Sequence, residues 1–475
     1  MRRARAGSLG GGPDQPRRVC VRRRYGARQG DRLMTQTAPS APSAPSPLGA
    51  PVDSPPAPAP PPGCPAHTGN GGGTEPLPLT TATGAAEPRE VYRGLREEWG
   101  TVARVELEPG VPAWLVMGYR ELLAVTRQEQ VFSRDARNWR DLNEGVVSAR
   151  SGLLPMMAWR ANVIGADGPE HRRLRQPLDD GVARIDQRKA RRQVEKVCTE
   201  LIAEFSPHGR ADLVSEYAAI VPLLSIASLF GLDRTEGQEL RRALVALFGS
   251  ADDSQDGNRH FQEILVDTLC ERQVNPADDL TTAIIHHPNL RTDAERLQSM
   301  VVMISSGTEG VNAWISHALR LMLTDPRFAA RLHGGRLGVD DALDEALWRD
   351  PPMNNMPARY ALRDTELGGR RIKRGDVLIL GIAAANDDPA IRPDEAGEPG
   401  NRAHLAFSAG PHVCPAQVPA RLITRTAVNT ALHLLPDMRL TIRAEEVSWQ
   451  PSPWTRVPVS LPVEFSAARG RPGQG

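Results

Sequence analysis

The spacing of apolar and polar residues along the chain predicts a mostly helical protein. Apolar residues recur at helical intervals in five clear stretches, 87–99, 118–131, 293–323, 340–350 and 418–435. Residues 190 to 290 have the pattern of several further amphipathic helices, with the strongest periodicity at 197–205 and 213–232. This part of the chain is therefore expected to fold mainly as packed helices.

Strands are predicted in two shorter regions. Residues 102–107 and 113–117 alternate between apolar and polar, and Glu108-Pro109-Gly110 between them has the composition of a turn. A second pair of strands is predicted around residues 359–362 and the turn at 366–369. The expected fold class is mainly α with a smaller β region.

The two ends of the chain differ in composition from the rest. Residues 1–75 are rich in Pro, Ala and Arg, and such a segment buries too little apolar surface to offset its ordering entropy. We expect a disordered segment at 1–75, one folded domain at 76–466 and a disordered tail at 467–475. Met34 begins a stretch that is typical of a natural N-terminus, so the residues before it are hypothesised to arise from a wrongly assigned start codon.

Charge and cysteine content exclude several classes of protein. The formal net charge of +1 argues against nucleic acid as the main partner. Five scattered cysteines form no disulfide framework, and this usage is typical of the reducing cytoplasm. No apolar run approaches the ~18 residues that a membrane span needs. The expectation is a cytoplasmic protein without a membrane span.

One stretch near the C-terminus, residues 407–416, carries the clearest candidate chemistry. It holds Cys414 in a loop that Gly410, Pro411 and Pro415 keep out of regular structure, directly before a predicted helix. The helix N-terminus favours a thiolate, which is suited to a nucleophile, a redox thiol or a metal ligand. A buried, inert cysteine is the alternative. No second cysteine lies near enough for a zinc cluster or a redox pair, whereas thiolate ligation of haem iron needs only one sulfur.

This stretch resembles the haem-binding loop of the cytochrome P450 family. In that loop a Phe, a Gly, a His or Arg and the Cys stand at the spacing of Phe407, Gly410, His412 and Cys414. The family's last Gly is replaced by Ala416. The resemblance extends over about residues 80 to 465. It implies the P450 fold, an α-rich triangular prism, with haem b between the oxygen-binding helix and the cysteine loop and with Cys414 on the iron.

The resemblance also implies which residues neutralise the haem propionates. His171 and Arg175 lie four residues apart and match the family's HxxxR helix, while Arg359 and His412 fall at two further propionate-binding positions. A solvated basic helix surface is the alternative for the first pair, because Arg172 and Arg173 add to its charge.

The predicted helix at 293–323 resembles the family's oxygen-binding helix. Ser306, Gly307 and Glu309 match its pattern, but Gly310 stands at the Thr position and Thr308 precedes the acid instead. Glu309, with Thr308 as a possible helper, is the candidate for proton delivery. Packing through small residues is the alternative explanation of the two glycines.

The helix at 340–350 resembles the family's ExxR helix, with Glu345 as the acid. Trp348 stands where the Arg belongs, and Arg349 follows it, a departure known from an actinobacterial subgroup. Glu345 and Arg349 are four residues apart, so an ion pair can form on the helix. Arg402 is the candidate for the family's arginine in the segment before the cysteine loop.

The resemblance implies a haem-thiolate monooxygenase. It would insert one oxygen atom of O₂ into a small apolar substrate, with electrons from a separate ferredoxin and ferredoxin reductase or a similar donor, because no GxGxxG nucleotide fingerprint occurs in the chain. The alternative is a haem protein that binds without turnover, such as a ligand sensor or a partner protein. Gly310, Trp348 and Ala416 favour this alternative.

Overall fold

The structure of the chain is a computed structural model that describes residues 76–85, 87–247, 251–329, 338–392 and 401–466. The expectations for residues 1–75, including the start at Met34, and for the tail at 467–475 lie outside these residues. Within them the chain is mainly helical with a smaller β region, so the predicted fold class is confirmed. None of the described helices is long and apolar enough to cross a bilayer.

The described helices are numbered α1 to α16 in chain order. They are Leu79–Gly84, Pro88–Trp99, Tyr119–Arg127, Arg140–Asn143, Leu154–Met157, Gly168–Ala183, Gln187–Phe205, Val221–Leu229, Arg234–Leu247, Ala251–Val274, Leu280–Ile285, Asp293–Thr324, Pro326–Ala329, Val339–Arg349, Ile382–Asn386 and Gln417–Leu434.

The longest of these helices, α12, shows how local sequence sets an element. Thr292 accepts a hydrogen bond from the backbone N–H of Glu295, and the Glu295 side chain binds back to the N-cap, which forms a capping box. The helix then runs for 32 residues, and most of its second half is buried. It is the central helix against which α8, α14 and α16 pack.

The strands are β1 to β11. They are Leu77–Pro78, Val102–Glu108, Val111–Val116, Phe132–Ser133, Arg210–Asp212, Asn355–Ala361, Thr365–Leu367, Arg370–Ile372, Val377–Gly381, Arg439–Leu440 and Pro462–Glu464.

Six of these strands form the main sheet, in the order β1-β2-β3-β9-β6-β4. β9 pairs in parallel with β3 and antiparallel with β6, and its alternate residues enter different hydrophobic clusters. Val377 and Ile379 face one cluster, while Leu378 and Leu380 face the other. The sheet is therefore covered on both faces, and it fixes β6, the strand that carries Arg359.

Two predicted elements differ from the structure, and two short helices were not predicted. The helix expected at 118–131 already ends at Arg127, because the chain turns there into β4. The stretch 213–232 is divided into a short π-helical turn, Val214–Ala218, and α8, whose first turn contains Pro222. The short helices α4 and α5 had no periodic signal, since each has only four residues.

A buried ion-pair cluster joins the helical part to the C-terminal segment. The carboxylate of Asp350, at the end of α14, accepts from Arg320 of α12 at 2.7 Å and from Arg456 at 3.0 Å. Burial opposes ionisation of Asp350, but the charges of Arg320 and Arg456 outweigh it and hold the pKa of this carboxyl well below its usual range.

Candidate functional site

The loop that carries Cys414 is held against the central helix. The backbone N–H of Cys414 donates to the carbonyl of Phe407 at 2.9 Å. The Phe407 ring packs edge-on against Trp314 of α12, with 5.7 Å between the ring centroids. The loop then enters α16 at Gln417, as the sequence predicted to within one residue.

Gly410 allows this loop to approach α3 closely. Its φ is +69°, and a Cβ at this position would lie 2.3 Å from the carbonyl oxygen of Thr126. Both the backbone conformation and the contact exclude a side chain. The glycine in the sequence pattern therefore has a structural reason within this chain.

The side chain of Cys414 is partly buried in the loop. Burial raises the pKa of the Cys414 thiol, while a hydrogen bond from the backbone of Ala416 and the charge of Arg175 act in the opposite direction. The helix N-terminus alone thus does not produce the thiolate that the sequence suggested. A coordinated metal ion deprotonates a thiol outright, so this sulfur is suited to a metal ligand more than to a free nucleophile.

The four residues predicted to bind the propionates lie together beside this loop. The rings of His171 and His412 are 3.9 Å apart between centroids. Arg175 donates to the carbonyl of Pro411 in the loop at 3.2 Å, and it also pairs with Asp179. Arg359 is buried on β6, and its charge acts on His412.

These side chains present hydrogen-bonding atoms that the described chain leaves unsatisfied. Both ring nitrogens of His171, Nε2 of His412 and one terminal nitrogen of Arg359 are buried without a partner. Burial lowers the pKa of His171 to about 4 and that of His412 to about 3, and it holds the pKa of Arg359 well below its usual range. Unpaired buried groups of this kind are costly, so the cluster fits carboxylates supplied by a bound group.

Two acids at this cluster were not singled out from the sequence. Oδ1 of Asp167 lies 3.7 Å from Nε2 of His412, and Oε1 of Glu129 lies 3.8 Å from the same atom. Asp167 also accepts from the hydroxyl of Ser133 at 2.5 Å. Asp167 stands only four residues before His171, but nothing in the sequence showed that it would face His412.

The middle of α12 has one open face. Ser306 and Glu309 are exposed, three residues apart on one side of a largely buried helix. Although Glu309 is accessible to solvent, the protein atoms around it partly desolvate its carboxyl and raise its pKa. Thr308 is buried on a different side of the helix, where its hydroxyl has no hydrogen-bond partner among the described residues. The two predicted proton-delivery residues are therefore not brought together.

Comparisons with known proteins agree with this geometry. No protein-family model matches the chain. A 2-hydroxy-5-methyl-1-naphthoate 7-hydroxylase of Streptomyces carzinostaticus is 28% identical over 391 residues, covering 78% of this chain and 93% of that protein. The cytochrome P450 monooxygenase PikC of Streptomyces venezuelae is 27% identical over 403 residues, covering 81% and 92%. The solved structure of CYP154A1 from Streptomyces coelicolor A3(2) is 28% identical, with a TM-score of 0.70, and covers 80% of this chain and 98% of that one.

In sequence and in fold the chain is similar to bacterial cytochrome P450s over about four fifths of its length. Its cofactor is haem with a cysteine thiolate ligand, and its activity class is that of the P450 monooxygenases. Assignment to a particular subgroup stays a prediction. The fold places α14, which carries Glu345 and Trp348, on the side of the cysteine loop.

In this chain Glu345 lies near arginines from three places in the fold. Arg349 donates to Oε1 at 2.5 Å, so the expected ion pair on the helix forms. Arg392, which lies outside the helix, donates to Oε2 at 2.9 Å, and Arg327 lies 3.7 Å from Oε1. The Arg392 contact was not anticipated, because 47 residues separate it from Glu345.

Trp348 occupies the position of the family's arginine and connects α14 to the cysteine loop. Its indole N–H donates to the carbonyl of Asn401 at 2.8 Å. Its ring lies edge-on to His404 at 5.9 Å, and the Arg392 guanidinium lies 5.2 Å from its centroid. Trp348 thus reaches the segment before the loop by an N–H donor and ring contacts.

Arg402, the candidate for the family's arginine in the segment before the cysteine loop, contacts Asp344 and not Glu345. Arg402 pairs with Asp344 at 3.2 Å, and Arg421 of α16 binds the same carboxylate. Neighbouring side chains on α14 point in different directions, so the one-residue difference between Asp344 and Glu345 decides which segment each acid holds.

Proposed function

We propose that Cys414 is the thiolate ligand of a haem b and that the chain is a monooxygenase acting on a small apolar molecule. The single observation that carries this proposal is the group of unsatisfied donors on His171, His412 and Arg359 beside the cysteine loop. These donors match the two carboxylates of haem, and Arg175 ties the same cluster to the loop.

When bound, haem supplies the activation of O₂, and the thiolate donates electron density to the iron. The chain's own contribution to proton delivery would be Glu309, whose raised pKa lets it hold a proton closer to neutral pH than an unperturbed carboxyl would. Ser306 shares its face and offers a hydroxyl. Thr308 faces the other way and is a poor candidate for the same step.

The substrate class follows from the open face of α12. Val302 and Met303 precede Ser306 by four and three positions, share its face and are incompletely buried. An apolar surface with few polar groups is typical of a site for apolar ligands. The relative named for hydroxylating a methylnaphthoate is in keeping with a mainly apolar ring compound as substrate.

Electrons would come from a separate ferredoxin with its reductase or a similar donor. A groove of about 550 Å³ lies on the outer side of the cysteine loop, lined by Phe407 and by Arg191, Arg402 and Arg425 among others. Exposed arginines there favour an acidic partner. The rate of reduction by ferredoxin should fall as salt rises.

The location in the cell is proposed on the state of the cysteines. Cys198 and Cys414 form no disulfide among the residues that the structure describes, which is typical of proteins kept in a reducing compartment. We therefore place the enzyme in the cytoplasm, and fractionation of the native host would check this.

The test of the ligand is the spectrum of the ferrous carbon-monoxide adduct. The unaltered protein should show the band typical of thiolate ligation, and Cys414→Ala should lose it. Cys198→Ala is the matched control, because this cysteine is also buried but lies on α7. A thiolate band that persists in Cys414→Ala would refute the assignment.

A haem protein without turnover is the second candidate. It is favoured by one observation, the absence of any hydroxyl at Gly310 together with the burial of Thr308 away from Glu309. Product formation with a redox partner, and with peroxide as a surrogate oxidant, separates the two candidates. Haem binding with no product from either route, across apolar substrates, would favour the second.

A further inference from the structure

Arg134 is an arginine that the sequence did not single out and that lies beside the proposed propionate cluster. It directly follows β4, in which Phe132 pairs with Ala361 and Ser133 with Tyr360 of β6. Continuing this antiparallel register sets Arg134 opposite Arg359. The two arginines thus project from neighbouring strands at the same level of the sheet.

The guanidinium of Arg134 bridges separate segments through backbone carbonyls. Its Nε donates to Ile164 at 3.2 Å, and one terminal nitrogen donates to Pro357 at 2.7 Å. The carboxylate of Asp167 binds the backbone N–H of Arg134 at 3.1 Å, so this acid does not neutralise the guanidinium by direct contact.

Within the residues that the structure describes, neither Arg134 nor Arg359 forms an ion pair. Arg359 is buried and Arg134 is partly buried. The charge of Arg134 acts on Arg359, and both charges act on His412. Two neighbouring cations without direct counter-charges are unfavourable, and desolvation lowers the pKa of both. A bound group with two carboxylates would reverse this balance.

We propose that Arg134 is a second guanidinium for the haem carboxylates, acting beside the buried Arg359. This inference rests on the proposed haem site. In this arrangement the guanidiniums of Arg134 and Arg359 pair with the two carboxylates, and His171 and His412 act as neutral hydrogen-bonding groups. Through its bond to Pro357, Arg134 also steadies the strand that presents Arg359.

The competing explanation is that Arg134 only joins three loops through their carbonyls. An experiment that varies both the protein and the cofactor distinguishes this explanation from the proposal. The full chain is loaded with haem or with haem dimethyl ester, which lacks the carboxylate charges, and cofactor transfer to an excess of a haem-scavenging protein is timed. The compared proteins are the unaltered chain and Arg134→Met, which keeps an apolar stem but removes the charge.

We expect Arg134→Met to accelerate haem loss at least about tenfold, since buried charge pairs commonly couple this strongly. Loss of the dimethyl ester should change much less. Arg137→Met is the matched control, because Arg137 is three residues away, 65% exposed and paired with Asp135, and it should alter neither rate.

Equal acceleration for both cofactors would show a purely structural role, and no acceleration would show no contact; either overturns the proposal. If Arg134→Met does not fold, Arg134→Lys enters the same cycle, and its shorter single donor should still weaken haem selectively over the ester. The carbon-monoxide spectrum of the same samples reports thiolate ligation separately. Failure of the Arg134 proposal is therefore distinguishable from failure of the Cys414 assignment.

Discussion

Replacement of Arg392 should destabilise this protein much more than replacement of Arg349, although both arginines bind Glu345. The Glu345 side chain is 10% exposed, Arg392 is 7% exposed and Arg349 is 27% exposed. Arg392→Gln removes the more deeply buried partner. Because Arg349 still contacts the carboxylate, the cost should be about 3 kcal/mol, the low end of the range for a fully stranded buried charge. The lost contact with the Trp348 ring adds up to about 1 kcal/mol.

Arg349→Ala should lower the free energy of unfolding by only about 1 kcal/mol or less, because Arg392 still holds the carboxylate and the lost pair is partly solvated. The measurement is denaturant unfolding followed by circular dichroism and by haem absorbance. Glu345→Gln combined with Arg392→Gln is the control, and it should cost less than Arg392→Gln alone, since no charge is then stranded. A larger effect of Arg349→Ala than of Arg392→Gln would refute this reasoning.

Two further predictions concern the central helix and the ion-pair cluster at its end. Apart from the backbone of the helix itself, no atom of the described residues lies within 4 Å of a Cβ built on Gly310. Gly310→Thr should therefore be accommodated and should raise the fraction of reducing equivalents that appear in product rather than as hydrogen peroxide; tight coupling in the unaltered enzyme would contradict the idea. Asp350→Asn should be destabilising at neutral pH, because the folded state holds the pKa of this carboxyl below its unfolded value. That stabilisation is present above the unfolded pKa of about 4 and is lost as pH falls below it, so the difference between unaltered protein and variant should shrink in acid; a difference that does not change with pH would count against the cluster.

The long elements of the fold were predictable because their pattern persists over many residues. Helix α12 was expected at 293–323 and is found at Asp293–Thr324, and its capping box is a purely local signal. The four-residue helices α4 and α5 were missed because fewer than two turns show no period. The predicted helix at 213–232 was wrong in its middle, where tertiary packing favours a π-helical turn before Pro222.

The residues of the candidate site also fall into two groups, those that a sequence motif indicated and those that only the fold brings to the site. Cys414, His171 and Arg175 stand in short motifs whose spacing could be read directly. Arg134 and Arg392 are single arginines in a chain with 58 basic residues, and only the fold brings them to their partners. Thr308 was a plausible helper by its place beside Glu309, but adjacent positions on a helix point about 100° apart.

The pairing of Glu345 with Arg392 has a consequence for how this protein reaches its folded state. A partner four residues away is available as soon as a helix forms, whereas 47 residues separate these two, and closing the longer loop costs about 2 kcal/mol more in chain entropy. β6, β9 and α15 all lie within that loop. The acid on α14 therefore obtains its buried counter-charge only after the adjoining sheet strands have assembled, so completion of the haem-side helix and completion of the sheet become one cooperative event.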